Sequence, residues 1–186
     1  DDYLKRLVAP MVEDSNIALV SGRQLPKADA RRFEQLVRCF NYPDSPSVRS
    51  KGDLEKLGIK TFFASAACSA YRRTAYLECG GFEHVRFIAS GKKVAYEPRA
   101  EVYHSHNLTP SQQFARNRAV GFFLETHADD LMQASEIGEG GRLVRSVSSQ
   151  LLREGNFGEL VAFGVDCCAR LLGNRAGRRA ARIERS

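Results

Sequence analysis

The chain has 186 residues, 43% of them hydrophobic and 27% charged, with 15 Gly and 6 Pro. That is long enough for one domain with a real core, and the composition excludes a collagen, a coiled coil or a wholly disordered chain. The formal charge is +6, but the segment from Arg170 to Ser186 alone holds six Arg against one Glu, so the remaining body is nearly neutral.

A broad basic face is therefore not indicated, and no nucleic-acid partner is expected. The Arg-rich end reads either as a solvated helix terminus or as a peripheral contact with anionic lipid. No stretch reaches the roughly 20 apolar residues of a membrane span. Five cysteines, Cys39, Cys68, Cys79, Cys167 and Cys168, lack zinc-ligand spacing. They read as reduced thiols, which places the chain in the cytoplasm, at the inner face of the membrane where the basic tail meets lipid. Asp1-Asp2-Tyr3 reads as a start partway through something larger.

In chain order, Tyr3, Leu4, Leu7, Val8 and Met11 recur at helical spacing and predict a helix over 2–12. Ile17 to Ser21 is an apolar run of strand length, ended by Gly22 and Pro26. A helix over 29–40 follows, with Phe33, Leu36, Val37 and Phe40 on one face, and 41–52 is loop. A strand is expected over 60–64, then a run of small residues, Ser65 to Ala70, that admits either a ligand or a closely packed backbone. A helix over 72–78 ends at Gly80-Gly81, and a short helical stretch spans 86–90. Strands are expected over 93–96 and 100–105, around Glu97-Pro98. Thr109-Pro110 opens a long helix, and two more are expected over 141–153 and 159–172. Strands before residue 105 and helices after it make an α/β body with a helical C-terminal extension.

The sharpest polar constellation is His104-Ser105-His106. On a strand the two imidazoles would share a face, where they could hold a metal or a diphosphate; otherwise one is a core histidine and the other exposed. Arg72-Arg73 reads either as a phosphate contact or as a pair of surface arginines at a helix start. Arg23, just past a strand, carries the same two readings. Glu83 is either a carboxylate near a site or a solvated one. His84 and His127 have no obvious partner.

Taken together, IALVSGRQLP (17–26), the 33–43 stretch ending FNYP, GIKTFFASAACSAYRR (58–73), GGF (80–82), GKKVAYEPRAEVYHSHN (91–107) and GNRAGRR near the end resemble the inverting family 2 glycosyltransferases, specifically the bacterial rhamnosyltransferase-like group. The resemblance runs over nearly the whole chain. It implies a partial GT-A-like fold, an incomplete Rossmann-like mixed sheet, over 1–107, a helical extension over 108–173 and an Arg-rich tail over 174–186. It also implies a nucleotide-sugar donor such as dTDP-rhamnose, a saccharide acceptor, Mg²⁺ or Mn²⁺, and a role in surface polysaccharides such as O-antigen. Residue by residue, it implicates Arg23, Gln24, Ser65, Ser69 and Arg72 in lining the cleft, and His104 and His106 near the donor diphosphate and metal.

Two departures qualify that picture. The family's nucleotide-binding half and its aspartate-rich metal motif should precede the first residue here. The Glu-Asp pair expected after GGF, whose carboxylate deprotonates the acceptor, is missing, and Glu83 is the weak substitute. The expectation is a chain weakly active or inactive alone, with an unpaired sheet edge that invites association. The alternatives are a non-catalytic glycan- or partner-binding module and an adaptor acting through the Arg-rich tail.

Overall fold

A computed structural model describes residues 2–81, 84–129, 131 and 138–185. The element order is α1 (Asp2–Glu13), β1 (Ile17–Leu25), α2 (Arg32–Asn41), β2 (Ser47–Arg49), α3 (Leu54–Leu57), β3 (Ser69–Tyr71), α4 (Arg73–Glu78), α5 (His84–Ala89), β4 (Lys93–Tyr103), α6 (Pro110–Thr126), α7 (Glu139–Arg153) and α8 (Phe157–Glu184). The chain forms two compact units: among the described residues, 2–27 with 38–105 make the first, and 28–37 with the residues from His106 onward make the second.

The first unit holds a four-stranded mixed sheet in the order β2-β4-β1-β3. β1 and β4 run parallel at its centre, with the short β2 and β3 antiparallel at the edges. β1 is an unbroken apolar run because both of its faces are covered. Ile17, Ala18, Leu19 and Val20 are all buried, which is the pattern of a central strand rather than of one with a solvated face. Leu7 of α1 closes one face over Ile17, Val20, Cys68, Ala95 and Ala100. Each edge strand has only three residues. The sheet is open, and the edge strands it leaves unpaired are short.

The second unit is helical. Phe33 and Val37 of α2 pack with Val147 and Leu151 of α7 and Phe163 of α8, and the Phe33 and Phe163 ring centroids are 5.8 Å apart. Thr109 caps α6, accepting from the Gln112 amide while the Gln112 side chain accepts from the Thr109 N–H, with Pro110 at the first position. α6 and α8 lie against each other with glycine at the crossing. A Cβ at Gly121, Gly173 or Gly177 would collide with the carbonyls of Asn174, Phe114 and Arg118 respectively. Among the described residues no helix is long and apolar enough to cross a membrane.

Several boundaries differ from the sequence expectations. Residues 60–64 form no strand: Gly58–Phe62 is a 3-10 turn. Gly58 takes φ 54°, and the Lys60 carbonyl is satisfied by the Arg49 guanidinium at 2.5 Å instead of by a ladder partner. β4 is one strand rather than two. Its pairing jumps from Gly22↔Glu97 to Arg23↔Glu101, and that bulge absorbs Pro98 without ending the strand. β4 stops at Tyr103, so His104 and His106 lie beyond it rather than alternating along it. α8 continues past Leu172 to Glu184, which makes the Arg-rich segment helical. Arg178 and Arg182 pair with Glu125 of α6, and Arg185 donates to the Thr126 carbonyl. Glu125 is held below the usual carboxylate range mainly by its hydrogen bond from Arg182. All five cysteines are free thiols.

Candidate functional site

Open sheets with parallel strands place ligands beyond the carboxyl ends of those strands, where the chain leaves the sheet and side chains can converge. In the first unit that location is the shared end of β1 and β4. The chain is held tight there: the His104 N–H donates to the Leu25 carbonyl at 2.8 Å, and the Lys27 N–H donates to Ser105 Oγ at 3.3 Å.

Gly22 meets the Ser65–Ala70 run at Cys68. The Gly22 N–H donates to the Cys68 carbonyl at 2.7 Å, and a Cβ at Gly22 would collide with Cys68 Sγ and the Ala100 carbonyl. Close packing thus accounts for Cys68, while Ala66 and Ala67 are exposed. Cys68 is buried there, with its sulfur 3.0 Å from the Tyr3 hydroxyl. Burial and that hydrogen bond push the Tyr3 hydroxyl up to about 12.

The next two residues of β1 carry the polar groups. Gln24 is buried, and its side chain is fully used: the amide nitrogen donates to Ser65 Oγ, and the amide oxygen accepts from Arg38 of α2. Arg23 pairs with Asp44 and, at 3.3 Å, with Glu101 of β4, while its Nε is buried without a hydrogen-bond partner. Gln24 and Ser65 are thus in contact, and Arg23 lies beside Gln24 on β1. Arg38, Asp44 and Glu101 complete the cluster, and sequence reasoning missed all three. Arg38 falls off the apolar face of its helix and reads as surface, Asp44 sits among loop residues, and Glu101 alternates outward on its strand, so none carries a signal of its own.

The remaining candidates lie elsewhere. Ser69 is in β3, paired with Ser21. Arg72 is engaged by backbone carbonyls. Its Nε donates to the Ile17 carbonyl at 2.9 Å and its Nη2 to the Met11 carbonyl at 2.6 Å, so it closes the C-terminal end of α1 onto the start of β1. His104 belongs to the first unit and His106 to the second. Glu83 lies outside the described residues.

The cluster of Arg23, Gln24, Arg38, Asp44, Ser65 and Glu101 offers donors and acceptors in alternation, the chemistry that binds hydroxyl groups. The Arg23 charge faces the Asp44 and Glu101 carboxylates, which suits a neutral polyol better than a diphosphate. Among the described residues no three His, Cys, Asp or Glu side chains converge as a metal site, so they do not fit a divalent cation.

No family model matches the chain, and no solved structure does. The chain is 40% identical to the O-antigen chain rhamnosyltransferase WbaN of Salmonella anatum over 156 aligned residues, covering 77% of this chain and 49% of that protein. It is 42% identical to the O-antigen chain rhamnosyltransferase RfbN of Salmonella typhimurium over 162 aligned residues, covering 81% of this chain and 50% of that protein. The chain spans about half the length of the curated relatives it matches, and over that span it is similar to O-antigen chain rhamnosyltransferases.

Proposed function

We propose that this chain is the acceptor-side part of a family 2 glycosyltransferase with a partial GT-A-like fold, acting in O-antigen assembly with a nucleotide-sugar donor such as dTDP-rhamnose. The observation that carries the reading is the identity of 40% and 42% to two O-antigen chain rhamnosyltransferases. The cluster at the carboxyl end of β1 supports it. Gln24, held by Ser65 and Arg38, fixes the floor, and Arg23 with Glu101 forms the polar rim that meets acceptor hydroxyls.

Inverting transfer forms a bond from the acceptor oxygen to the anomeric carbon, breaks the bond from that carbon to the diphosphate, and sends the acceptor proton to a base. Among the described carboxylates of the cluster, Glu101 and Asp44 are both engaged by Arg23. The described residues also lack a ligand set for Mg²⁺ or Mn²⁺, so no role for a cation is assigned to them. The reading is therefore of a chain weakly active or inactive alone, binding acceptor rather than turning over donor. Its place is the cytoplasm. The exposed Arg175 and Arg179, one helical turn apart on α8, are the cations available to anionic lipid at the membrane's inner face.

The test is a chimera. The N-terminal half of the WbaN relative, joined ahead of this chain, is assayed with dTDP-rhamnose and an O-antigen acceptor beside this chain alone. The chain alone should release no dTDP, and the chimera should transfer rhamnose. Turnover by the chain alone, or a folded chimera without activity, would overturn the reading.

A further inference from the structure

A second feature of the first unit lies beside the β1 cluster, next to Tyr42, whose ring the Arg38 guanidinium faces at 5.9 Å. A cavity of about 270 Å³ is lined by Phe40, Asn41, Ser47, Arg49, Lys60, Phe63 and Tyr96, with Pro43 and Leu57 at its margin. Its walls are aromatic: Tyr42 packs on Phe63 and Tyr96 with ring centroids 6.0 and 6.4 Å apart, and the Lys60 ammonium stands 5.4 Å above the Phe40 ring. The Tyr96 hydroxyl is spent on the Pro43 carbonyl at 2.9 Å, leaving its ring as wall.

The notable group is Arg49. It is 7% exposed, so its charge is taken almost entirely out of water. A buried guanidinium is normally matched by a carboxylate, because desolvating an unpaired charge costs several kcal/mol. Among the described residues Arg49 forms no ion pair. Its Nη1 donates to the Lys60 carbonyl at 2.5 Å, and its Nε is buried without a partner. The nearest opposing charge, Asp53, accepts from the N–H and hydroxyl of Ser50 at 2.8 and 2.9 Å. Burial pushes the Arg49 guanidinium down to about 10, with Asp53 opposing the shift only in part.

We propose that this cavity binds a carboxylate carried on a single ring, with the carboxylate on Arg49 and Lys60 and the ring face against Phe40, Phe63 and Tyr96. The guanidinium fork has one edge already committed through Nη1. Nε is shut away from solvent, so a carboxylate is met by the terminal Nη2 of the guanidinium and by the Lys60 ammonium. A tetrahedral phosphoryl group would turn its additional oxygens against the aromatic walls, where nothing accepts their charge. The volume admits one six-membered ring and excludes a nucleotide sugar. Both uronic acids and aromatic acids present this chemistry.

Calorimetric titration of the full chain with glucuronic acid, benzoate, glucose 1-phosphate and neutral glucose tests it. At least one of the two carboxylates should bind roughly tenfold or more tightly than either glucose 1-phosphate or glucose. Binding by glucuronic acid alone identifies the source as a sugar acid, and by benzoate alone as an aromatic acid. Arg49→Lys should weaken binding about tenfold or more, since Lys lacks the fork. Because a buried arginine variant can fail to fold, Phe63→Ala and Lys60→Gln serve as the second arm. Each should weaken binding roughly threefold or more with an unchanged melting temperature. Absence of binding by both carboxylates at millimolar concentration, equal binding of glucose 1-phosphate, or affinity unchanged in Phe63→Ala and Lys60→Gln overturns the proposal. None of these outcomes bears on the chimera assay, whose failure leaves the cavity untouched.

Discussion

At the residue scale, two positions separate packing from ligand binding. Gly22 sits where β1, the 65–70 run and the β4 bulge converge, and any Cβ there meets Cys68 Sγ and the Ala100 carbonyl. One of those atoms is backbone, so relief requires moving a strand. Gly22→Ala should therefore cost about 1–3 kcal/mol, read as a lower urea midpoint with unchanged slope. A wild-type midpoint would mean that the strand gives way at no cost. Arg72 tests the older question of phosphate or scaffold. Its guanidinium joins the Met11 and Ile17 carbonyls, so Arg72→Gln should lower stability by about 1–3 kcal/mol. A phosphate-binding arginine would instead lose ligand with stability unchanged, and that result would reinstate the phosphate reading.

At the scale of elements, the helical unit adds to its apolar cluster one close crossing and several ion pairs, and the last two respond differently to mutation. Gly177→Ala would drive a methyl group into the Arg118 carbonyl and part α6 from α8. The expected loss is about 1–3 kcal/mol, with faster amide exchange along both helices. Exchange unchanged in α6 would show that the crossing tolerates a side chain. Glu154, just past α7, accepts from Arg32 Nη2 at 2.5 Å and from Gln150 at 2.8 Å. Those hydrogen bonds, Arg32's first, hold it down to about 2 from its ordinary 4.5. Its pKa is depressed in the fold, so the unfolded chain binds the proton more readily. The stabilisation is present above about pH 4.5 and lost as pH falls toward 2. Glu154→Gln should lose less stability than wild type between pH 6 and 3; equal slopes would show that this pair does not link folding to pH. Elements of this size were legible in the sequence when their signal was periodic. α6 follows from the Thr109-Pro110 start signal, and β1 from its apolar run, although the strand continues past Gly22 to Leu25. The 60–64 segment did not, because a short apolar run serves a buried turn as well as a strand, and only the Arg49 side chain reaching the Lys60 carbonyl decides it. In the candidate site, the Gly-Arg-Gln signal names residues of one wall. The facing wall of Arg38, Asp44 and Glu101 comes from three separate segments, and the alternation of acid and base across them exists only in three dimensions.

At the scale of the whole molecule, several of the arginines that a diphosphate could draw on are already engaged. A sugar nucleotide is held mainly through its diphosphate, by carboxylate-bound cations or by unpaired cationic side chains. The described residues present no convergent carboxylate or imidazole set. Arg23 is engaged by two carboxylates, Arg72 by backbone carbonyls, and Arg178 and Arg182 by Glu125. The cationic tail that dominates the formal charge thus serves in large part to fasten α8 to α6, and its charge says little about anionic substrates. The consequence is measurable on the unmodified chain. A ligand that binds only the folded state raises the melting temperature in proportion to RT ln(1 + [L]/Kd), and at a hundred times Kd the gain is about 2.7 kcal/mol. For a chain of this length that is a shift of roughly 5–10 °C. Millimolar dTDP with Mn²⁺ should therefore leave the unfolding curve where it stands without them. A shift of several degrees that disappears on chelation would show that this chain holds a nucleotide through a metal, and the acceptor-side reading would then have to yield to a catalytic one.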